Sequence, residues 1–228
     1  ADLLGDASFV VVKMNLSRNG TTPDQPLDFV DLDAFGNNNY SVELDDINVM
    51  LDHIESREFR VPASEANTEN IYMIGHSRGG GISIVKASED NRIKKLVTLA
   101  SVSSLTSIMP ISTIDKWKET GVHYVFNGRT KQDMPLYYQL ALDYLANEAR
   151  FNVLECESRL EIPHLIIHGD KDETIPVAAA IAINEKSKKA KLVILKDGSH
   201  TFGGFHPYTE SHLPDHASIM LKEIIDFL

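Results

Sequence analysis

Residues 71–81 read IYMIGHSRGGG, in which an apolar run stops at a serine bracketed by glycines and a helical pattern follows. Gly75, Ser77 and Gly79 fit the G-x-S-x-G pattern of a tight turn from a strand into a helix. Side chains two residues away on either side of the serine would crowd such a turn, which accounts for both glycines. Because the following helix N-terminus favours negative charge, Ser77 is predicted to be a nucleophile beside an oxyanion site. The alternative is a serine that only begins a buried helix.

The composition restricts the possible partners of the chain. Its 228 residues are enough for one well-buried α/β domain, or at most two small ones. The formal net charge of −11 argues against nucleic acid or an anionic membrane as a partner. A single cysteine, Cys156, excludes an internal disulfide. Since no bilayer-length apolar run or signal peptide is visible, we expect a cytoplasmic protein that acts on a small molecule. No oligomeric state is predicted.

Short apolar runs alternate with helical patterns along most of the chain. The runs have the near-continuous hydrophobicity of strands buried on both faces, and they lie at residues 9–14, 71–74, 96–100, 165–167 and 191–195. Helical patterns lie at residues 79–89, 177–188 and 216–228, and another helix is predicted to begin at an N-cap, Ser41. This alternation predicts an α/β fold with a mostly parallel sheet and helices on both faces.

One long segment, residues 103–161, interrupts the alternation. It holds much of the aromatic content of the chain, including Trp117 and Tyr124, and it predicts a loop at residues 133–135 followed by a helix within 136–150. We interpret the segment as a helical cap inserted into a core formed by residues 1–102 and 162–228. A peripheral helical bundle with its own small core is the alternative.

Potential partners for the serine follow two later strands. A serine hydroxyl needs a base, and that base needs a third group to orient it. Residues 165–176 (LIIHGDKDETIP) place Asp170, Asp172 and Glu173 after one apolar run, and residues 192–202 (LVILKDGSHTF) place a histidine, His200, after the next. Because the carboxyl ends of parallel strands meet at one edge of a sheet, we expect Ser77, an aspartate near 172 and His200 to converge.

Three motifs in this order, GHSRGG, HGDKDETIP and DGSHTF, resemble the α/β-hydrolase fold superfamily, closest to its dienelactone-hydrolase-like esterase branch. The resemblance runs from about residue 9 to residue 228. It implies that Ser77 is the nucleophile, Asp172 the acid and His200 the base, with Asp170 and Glu173 as turn residues. Dienelactone hydrolases carry cysteine where this chain has Ser77, so the resemblance implies a serine esterase rather than that lactonase. It implies no metal and no organic cofactor.

The resemblance also implies an oxyanion hole made of two backbone N–H groups. One would belong to Arg78, the residue after the serine. The other would come from a loop after an earlier strand, and no such strand precedes Phe9. In the family's sheet that strand lies between the runs at residues 9–14 and 71–74. We therefore expect the chain to be a piece of a longer protein; a rearranged sheet in which these two runs pair directly, or a strand donated by another chain, are the alternatives.

The predicted function is the hydrolysis of carboxylic esters through an acyl-enzyme intermediate. The predicted substrate-binding residues are His76, Trp117, Tyr124 and Phe202, and the aromatic residues of the 103–161 segment favour an apolar acyl or aryl group. Packing or a salt bridge is the alternative role for His76. A thioesterase or small peptidase with the same triad is one alternative. A catalytically silent fragment or binding protein that lacks the oxyanion strand is another.

Three further histidines, His206, His212 and His216, raise the question of a metal site. Their spacing does not match a helical zinc motif, and prolines at positions 207 and 214 interrupt the run. The sequence therefore predicts no metal site.

Overall fold

A computed structural model describes residues 2–205 and 207–228, apart from the side chain of residue 108. In chain order the helices are α1 (Asp2–Asp6), α2 (Leu32–Gly36), α3 (Tyr40–Glu55), α4 (Arg78–Glu89), α5 (Ile114–Thr120), α6 (Gln139–Ala146), α7 (Val153–Arg159), α8 (Ala178–Lys186) and α9 (Asp215–Phe227). The strands are β1 (Ile71–His76), β2 (Ile93–Leu99), β3 (Val122–Asn127), β4 (Gln132–Tyr137), β5 (His164–Gly169) and β6 (Ala190–Leu195). These residues form two compact units.

The first unit, the described part of residues 1–11, 61–107 and 150–228, holds the main sheet. Its four strands are parallel in the order β1-β2-β5-β6. The register pairs His76 with Leu99, Leu99 with Ile167 and Gly169 with Leu195, so the carboxyl ends of the strands lie at one edge. Four of the five predicted strands are thereby confirmed.

Helices cover both faces of this sheet, as the sequence predicts. Leu165 and Ile167 of β5 share a core cluster with Ala217 and Ile224 of α9. Because side chains alternate along a strand, His164 of β5 faces the opposite side, where it meets α7. All six residues of β5 are buried, as expected for a strand between two helical layers. Within the described part of the chain, no helix has the length and apolar character needed to cross a bilayer.

The prediction of a strand at residues 9–14 is wrong. These residues form no strand, and Val10, Val11 and Val12 are 45%, 37% and 41% exposed. An apolar run becomes a strand only when its backbone groups bond to a neighbouring strand, and that pairing is not a local property. Among the described strands β1 pairs only with β2, so direct pairing of residues 9–14 with β1 does not occur there.

Helix α3 begins two residues earlier than predicted. The side chain of Asn39, not Ser41, accepts the backbone N–H of Val42 at 2.9 Å and caps the helix. The hydroxyl of Ser41 instead donates to the carboxylate of Asp143. The sequence contains both N-cap candidates, and the contact with a residue 102 positions away in the chain decides between them.

The second unit comprises residues 12–60 and 108–149. It contains an antiparallel hairpin in which β3 pairs with β4, from Val122 with Tyr137 to Asn127 with Gln132. The prediction of a loop at residues 133–135 is wrong because those residues lie within β4, and the helix predicted within 136–150 is the shorter α6. The assignment of residues 103–161 to a cap stays a prediction; residues 150–161 lie in the first unit, where α7 packs against α4.

A partly buried ion pair lies at the end of helix α4 and leads to a testable prediction. Asp90 accepts hydrogen bonds from the guanidinium of Arg92 at 2.8 and 2.6 Å, and these bonds lower the pKa of Asp90 from 3.8 to about 2. The stabilisation is therefore complete above the unfolded value and is lost as the pH falls towards 2. We expect Asp90→Asn to lower the free energy of unfolding at pH 7 by about 1–2 kcal/mol.

Urea unfolding at pH 7, 4 and 3 checks this expectation. The difference between Asp90→Asn and the wild type should shrink as the pH falls. Glu161→Gln is the matched control, because Glu161 forms an exposed ion pair with Lys188 and exposed pairs contribute little. A pH-independent difference for Asp90→Asn would contradict the role given to its charge.

Candidate active site

Ser77 occupies the turn between β1 and α4. Its backbone has φ of 55° and ψ of −123°, a conformation that is strained for a residue with a side chain. The backbone N–H of Ser77 donates to the carbonyl of Leu99 at 2.8 Å, and its carbonyl accepts the N–H of Gly80 at 3.0 Å. These bonds hold the strained turn in place, with its serine at the carboxyl edge of the sheet.

The two glycines that flank Ser77 are not equivalent. A Cβ on Gly75 would lie 2.3 Å from the hydroxyl of Ser83 and 2.4 Å from the carbonyl oxygen of Gly79. A Cβ on Gly79 would meet nothing within 4 Å. The expectation of crowding on both sides of the serine is therefore correct at Gly75 and wrong at Gly79, because α4 directs the Cβ position of Gly79 away from the turn.

The glycine run continues for a reason that the sequence analysis missed. A Cβ on Gly80 would lie 2.6 Å from the Cβ of Ser101, and one on Gly81 would lie 2.7 Å from the side chain of Val102. Both neighbours lie within three residues of the end of β2. The first turn of α4 thus packs closely against Ser101 and Val102, and three consecutive glycines are a sequence feature that could have indicated this close approach.

The turns after β5 and β6 are joined to each other. A Cβ on Gly169 would lie 2.1 Å from the carbonyl oxygen of Gly198, and that carbonyl accepts the N–H of Lys171 at 3.0 Å. The carboxylate of Asp170 accepts the N–H of Asp197 at 2.6 Å. Asp170 is therefore a turn residue, as the resemblance implies. These contacts hold the turn that carries Asp172 against the turn that carries His200.

The structure brings together the three side chains that were predicted as a triad. Nε2 of His200 lies 3.1 Å from Oγ of Ser77, and Nδ1 of His200 lies 2.7 Å from Oδ2 of Asp172. The carboxylate of Asp172 is fully buried, whereas the imidazole of His200 is 18% exposed. An uninterrupted series of hydrogen bonds thus connects a buried carboxylate to a serine at the sheet edge. This arrangement can transfer a proton from the hydroxyl to the imidazole.

Asp172 is held as a carboxylate. Burial raises its pKa, but hydrogen bonds oppose that effect and the net pKa lies below the ordinary value. Its Oδ1 accepts the backbone N–H groups of Ile175 at 2.8 Å and Thr174 at 2.9 Å, and its Oδ2 accepts from His200. The negative charge beside Nδ1 fixes the tautomer of His200 and stabilises the imidazolium that forms when Nε2 takes a proton.

His76, one of the predicted substrate-binding residues, lies against the imidazole of His200. The two ring centroids are 4.7 Å apart, and Nε2 of His76 donates to the backbone carbonyl of His200 at 2.9 Å. Desolvation lowers the pKa of His76 below its ordinary value, although part of the ring remains open to solvent. A contact with substrate stays a prediction; the bond to the His200 backbone is a role that sequence reasoning missed.

The other predicted substrate-binding residues lie in different surroundings. Phe202 is 3% exposed and belongs to the core cluster under the sheet edge. In the second unit, Trp117 is 1% exposed and donates from Nε1 to the carbonyl of Leu136 at 2.7 Å, whereas Tyr124 on β3 is 57% exposed. Phe202 and Trp117 thus pack in cores, and a substrate role for any of the three stays a prediction.

The predicted oxyanion donor lies at a helix N-terminus. Arg78 is the first residue of α4, so its backbone N–H is at the end of the helix whose dipole favours an anion. This position agrees with the role that the resemblance implies, which stays a prediction.

The histidines considered for a metal site have other surroundings. Nε2 of His216 lies 2.9 Å from the carbonyl of Lys196, and the carbonyl of His212 accepts the hydroxyl of Tyr208 at 2.6 Å. His206 lies outside the described residues. Residues 2–205 and 207–228 contain no group of three or more His, Cys, Asp or Glu side chains arranged to hold a metal ion.

Sequence comparison identifies one family and one curated relative. The model of the prolyl oligopeptidase family, Peptidase_S9, matches residues 32–215. A protein described as the uncharacterized peptidase YuxL, from Bacillus subtilis (strain 168), is 26% identical over 166 residues. That match covers 69% of this chain and 22% of the relative, so the chain spans less than a quarter of the relative's length.

Structural comparison identifies α/β-hydrolases. Est1E from Butyrivibrio proteoclasticus, in a structure with bound ferulic acid, is 20% identical with a TM-score of 0.58, over 85% of this chain and 69% of that one. A monoacylglycerol lipase from Paleococcus ferrophilus is 15% identical with a TM-score of 0.60, over 84% and 76%. The esterase domain of a Rhodothermus marinus protein is 15% identical with a TM-score of 0.55, over 84% and 69%. At these identities the likenesses show the fold, and the dienelactone-hydrolase-like branch stays a prediction.

Proposed function

The chain belongs to the prolyl oligopeptidase family, and we propose that it is a serine hydrolase that cleaves small carboxylic esters through Ser77, His200 and Asp172. The observation that carries the proposal is the series of hydrogen bonds from Oγ of Ser77 through the imidazole of His200 to the buried carboxylate of Asp172, at 3.1 and 2.7 Å. The strained turn at Ser77 and the helix N-terminus beside it give further support.

Each of the three side chains has a defined part in the proposed reaction. Nε2 of His200 takes the hydroxyl proton as Oγ of Ser77 attacks the ester carbonyl, and the carboxylate of Asp172 stabilises the imidazolium. The imidazolium then gives its proton to the leaving alcohol, which yields an acyl-serine. Water that loses a proton to the same imidazole releases the acid. The N–H of Arg78 would stabilise the oxyanion in both steps.

Turnover of a reporter ester tests the proposal. We expect p-nitrophenyl acetate and butyrate to be hydrolysed, and a fluorophosphonate to label Ser77 as identified by mass spectrometry, because both reactions need a hydroxyl that a neighbouring base deprotonates. A folded protein that shows neither turnover nor labelling would refute the activity. That result would favour the catalytically silent fragment or binding protein.

Peptide hydrolysis is the second candidate function. It is favoured by membership of the prolyl oligopeptidase family and by the description of the relative from Bacillus subtilis as a peptidase. Esters are placed first because an alcohol leaves more readily than an amine, so the triad needs less help from surrounding groups. Comparing an acyl p-nitrophenyl ester, the matching p-nitroanilide and a matching thioester separates the three reactions. A larger kcat/KM for the anilide than for the ester would reverse the order of the two candidates.

A further inference from the structure

We propose that His168 is a positioning residue that holds the triad acid, Asp172, in the orientation that its bond to His200 requires. The inference rests on the proposed function, which assigns the acid role to Asp172. His168 lies in β5, four residues before Asp172, and both side chains are fully buried. No step of the proposed reaction uses this imidazole.

The same nitrogen of His168 contacts two parts of the turn that carries the acid. Its Nε2 lies 2.9 Å from the carbonyl oxygen of Ile175 and 3.2 Å from Oδ2 of Asp172. Oδ1 of Asp172 accepts the backbone N–H groups of Thr174 and Ile175 at 2.9 and 2.8 Å. The turn is thus closed from both sides, by its own N–H groups and by the N–H of the strand histidine beneath it.

The surroundings of the His168 ring indicate which of its nitrogens carries the hydrogen. Nε2 must carry a hydrogen, because the groups it faces, a carbonyl and a carboxylate, are both acceptors. Nδ1 is buried and has no hydrogen-bond partner in the described part of the structure. A hydrogen on Nδ1 would be buried without an acceptor, so these contacts favour the tautomer with its hydrogen on Nε2. The hydrogen on Nε2 donates to the carbonyl of Ile175, and Oδ2 of Asp172 lies 3.2 Å from the same nitrogen.

His168 can affect the reaction only through the position of Asp172. Oδ2 of Asp172 accepts from His200 and lies 3.2 Å from Nε2 of His168, and small displacements of reacting groups reduce rates strongly: about 1 Å can cost a factor of 10². If the N–H of His168 is removed, the carbonyl of Ile175 loses its buried donor and the turn can shift. The bond from Asp172 to His200 would then lengthen. The substrate should still bind, because the polar contacts of the His168 ring, to Ile175 and Asp172, go to the turn.

Another histidine in the same strand gives a matched control. His164 lies four residues before His168 on the same face of β5, and it is also fully buried. Its Nδ1 lies 3.0 Å from the carboxylate of Glu157, and its Nε2 lies 2.8 Å from the hydroxyl of Thr98. His164 therefore makes the same kind of contacts at the opposite end of the strand from the triad. Loss of a buried imidazole affects both sites, but only His168 is joined to the acid.

The experiment compares His168→Asn, His168→Gln and His164→Gln in the full chain. Asparagine is too short to place a donor at the Nε2 position, whereas the amide nitrogen of glutamine can reach it. Per folded molecule, we expect His168→Asn to lower kcat for p-nitrophenyl butyrate about tenfold to hundredfold with little change in KM. His168→Gln should recover most of that loss, and His164→Gln should leave kcat unchanged even where it lowers the urea midpoint.

NMR spectroscopy provides a test that does not depend on turnover or on the folding of His168→Asn. In protein labelled with ¹⁵N-histidine, the wild type should show His168 as the Nε2–H tautomer. The downfield proton on Nδ1 of His200 should shift in His168→Gln and stay in place in His164→Gln. An Nδ1–H tautomer for His168, or equal losses of kcat per folded molecule in His168→Asn and His164→Gln, would overturn the inference. If the wild type hydrolyses no ester, the proposed function fails, and the NMR results still decide whether His168 holds Asp172.

Discussion

Ser77→Ala is expected to abolish hydrolysis of p-nitrophenyl esters, lowering kcat by about 10⁴-fold or more. The variant keeps the strained turn but has no oxygen 3.1 Å from Nε2 of His200, so no acyl-enzyme can form. Labelling by a fluorophosphonate should disappear with it, because the probe reacts at the same oxygen. The fold should persist, because the neighbouring backbone bonds of Ser77 to Leu99 and Gly80 do not involve the hydroxyl.

A second serine in the same unit is a suitable control for this loss. Ser107 is exposed, and its hydroxyl donates to the carbonyl of Ser104 at 2.7 Å without touching the triad. Ser107→Ala should keep both turnover and labelling. Full ester hydrolysis by Ser77→Ala would mean that another group performs the reaction, and the proposed mechanism would be wrong even if the hydrolase activity remained.

The parts of the fold that the sequence predicted are those whose signals are local. The strands β1, β2, β5 and β6 each contain a short run of apolar residues that can be recognised one strand at a time, and β5 is buried along its whole length. The order of the three motifs then placed Ser77, Asp172 and His200 at one edge, because parallel strands end together. The structure brings these three residues together through turns that the motifs themselves contain.

The parts that could not be predicted depend on pairing between distant segments. The apolar run at residues 9–14 has the composition of a strand, but no composition supplies the neighbouring strand that its backbone would need. The hairpin of β3 and β4 was missed because consecutive apolar residues of β3 are exposed on both faces, so that strand shows no alternation, and Pro135 indicated a loop. The pair Asn127-Gly128 at its turn was a sequence signal for a hairpin that could have been used.

The contact between His168 and Asp172 shows a third limit. Both residues stand in one motif, HGDKDETIP, and the resemblance assigned a role only to the second. Whether a strand histidine points at the acid depends on how the intervening turn folds back. That geometry is fixed partly by Gly169, whose Cα packs against the backbone of Gly198 in the turn before His200. The constraint is between two glycines 29 positions apart, and neither carries a side chain that a motif could reveal.

Gly75→Ala is expected to have the second largest effect on activity. An added methyl group would lie 2.4 Å from the carbonyl oxygen of Gly79 and 2.3 Å from the hydroxyl of Ser83. The backbone of α4 cannot yield without moving Ser77, so we expect a loss of about 3 kcal/mol in the free energy of unfolding. Since about 1 Å of displacement costs a factor of 10², kcat per folded molecule should fall about a hundredfold.

The other glycine of the motif makes this prediction specific to one side of Ser77. A methyl group on Gly79 would have open space, and alanine favours a helix over glycine by about 1 kcal/mol. We therefore expect Gly79→Ala to be at least as stable as the wild type and to keep its esterase activity. Urea unfolding and ester turnover measured on both variants decide the point. Equal losses in the two variants would mean that the glycines serve the substrate or the oxyanion instead. A loss of stability in Gly75→Ala, with unchanged or higher stability in Gly79→Ala, would show that Gly75 is needed for the close contact between β1 and α4.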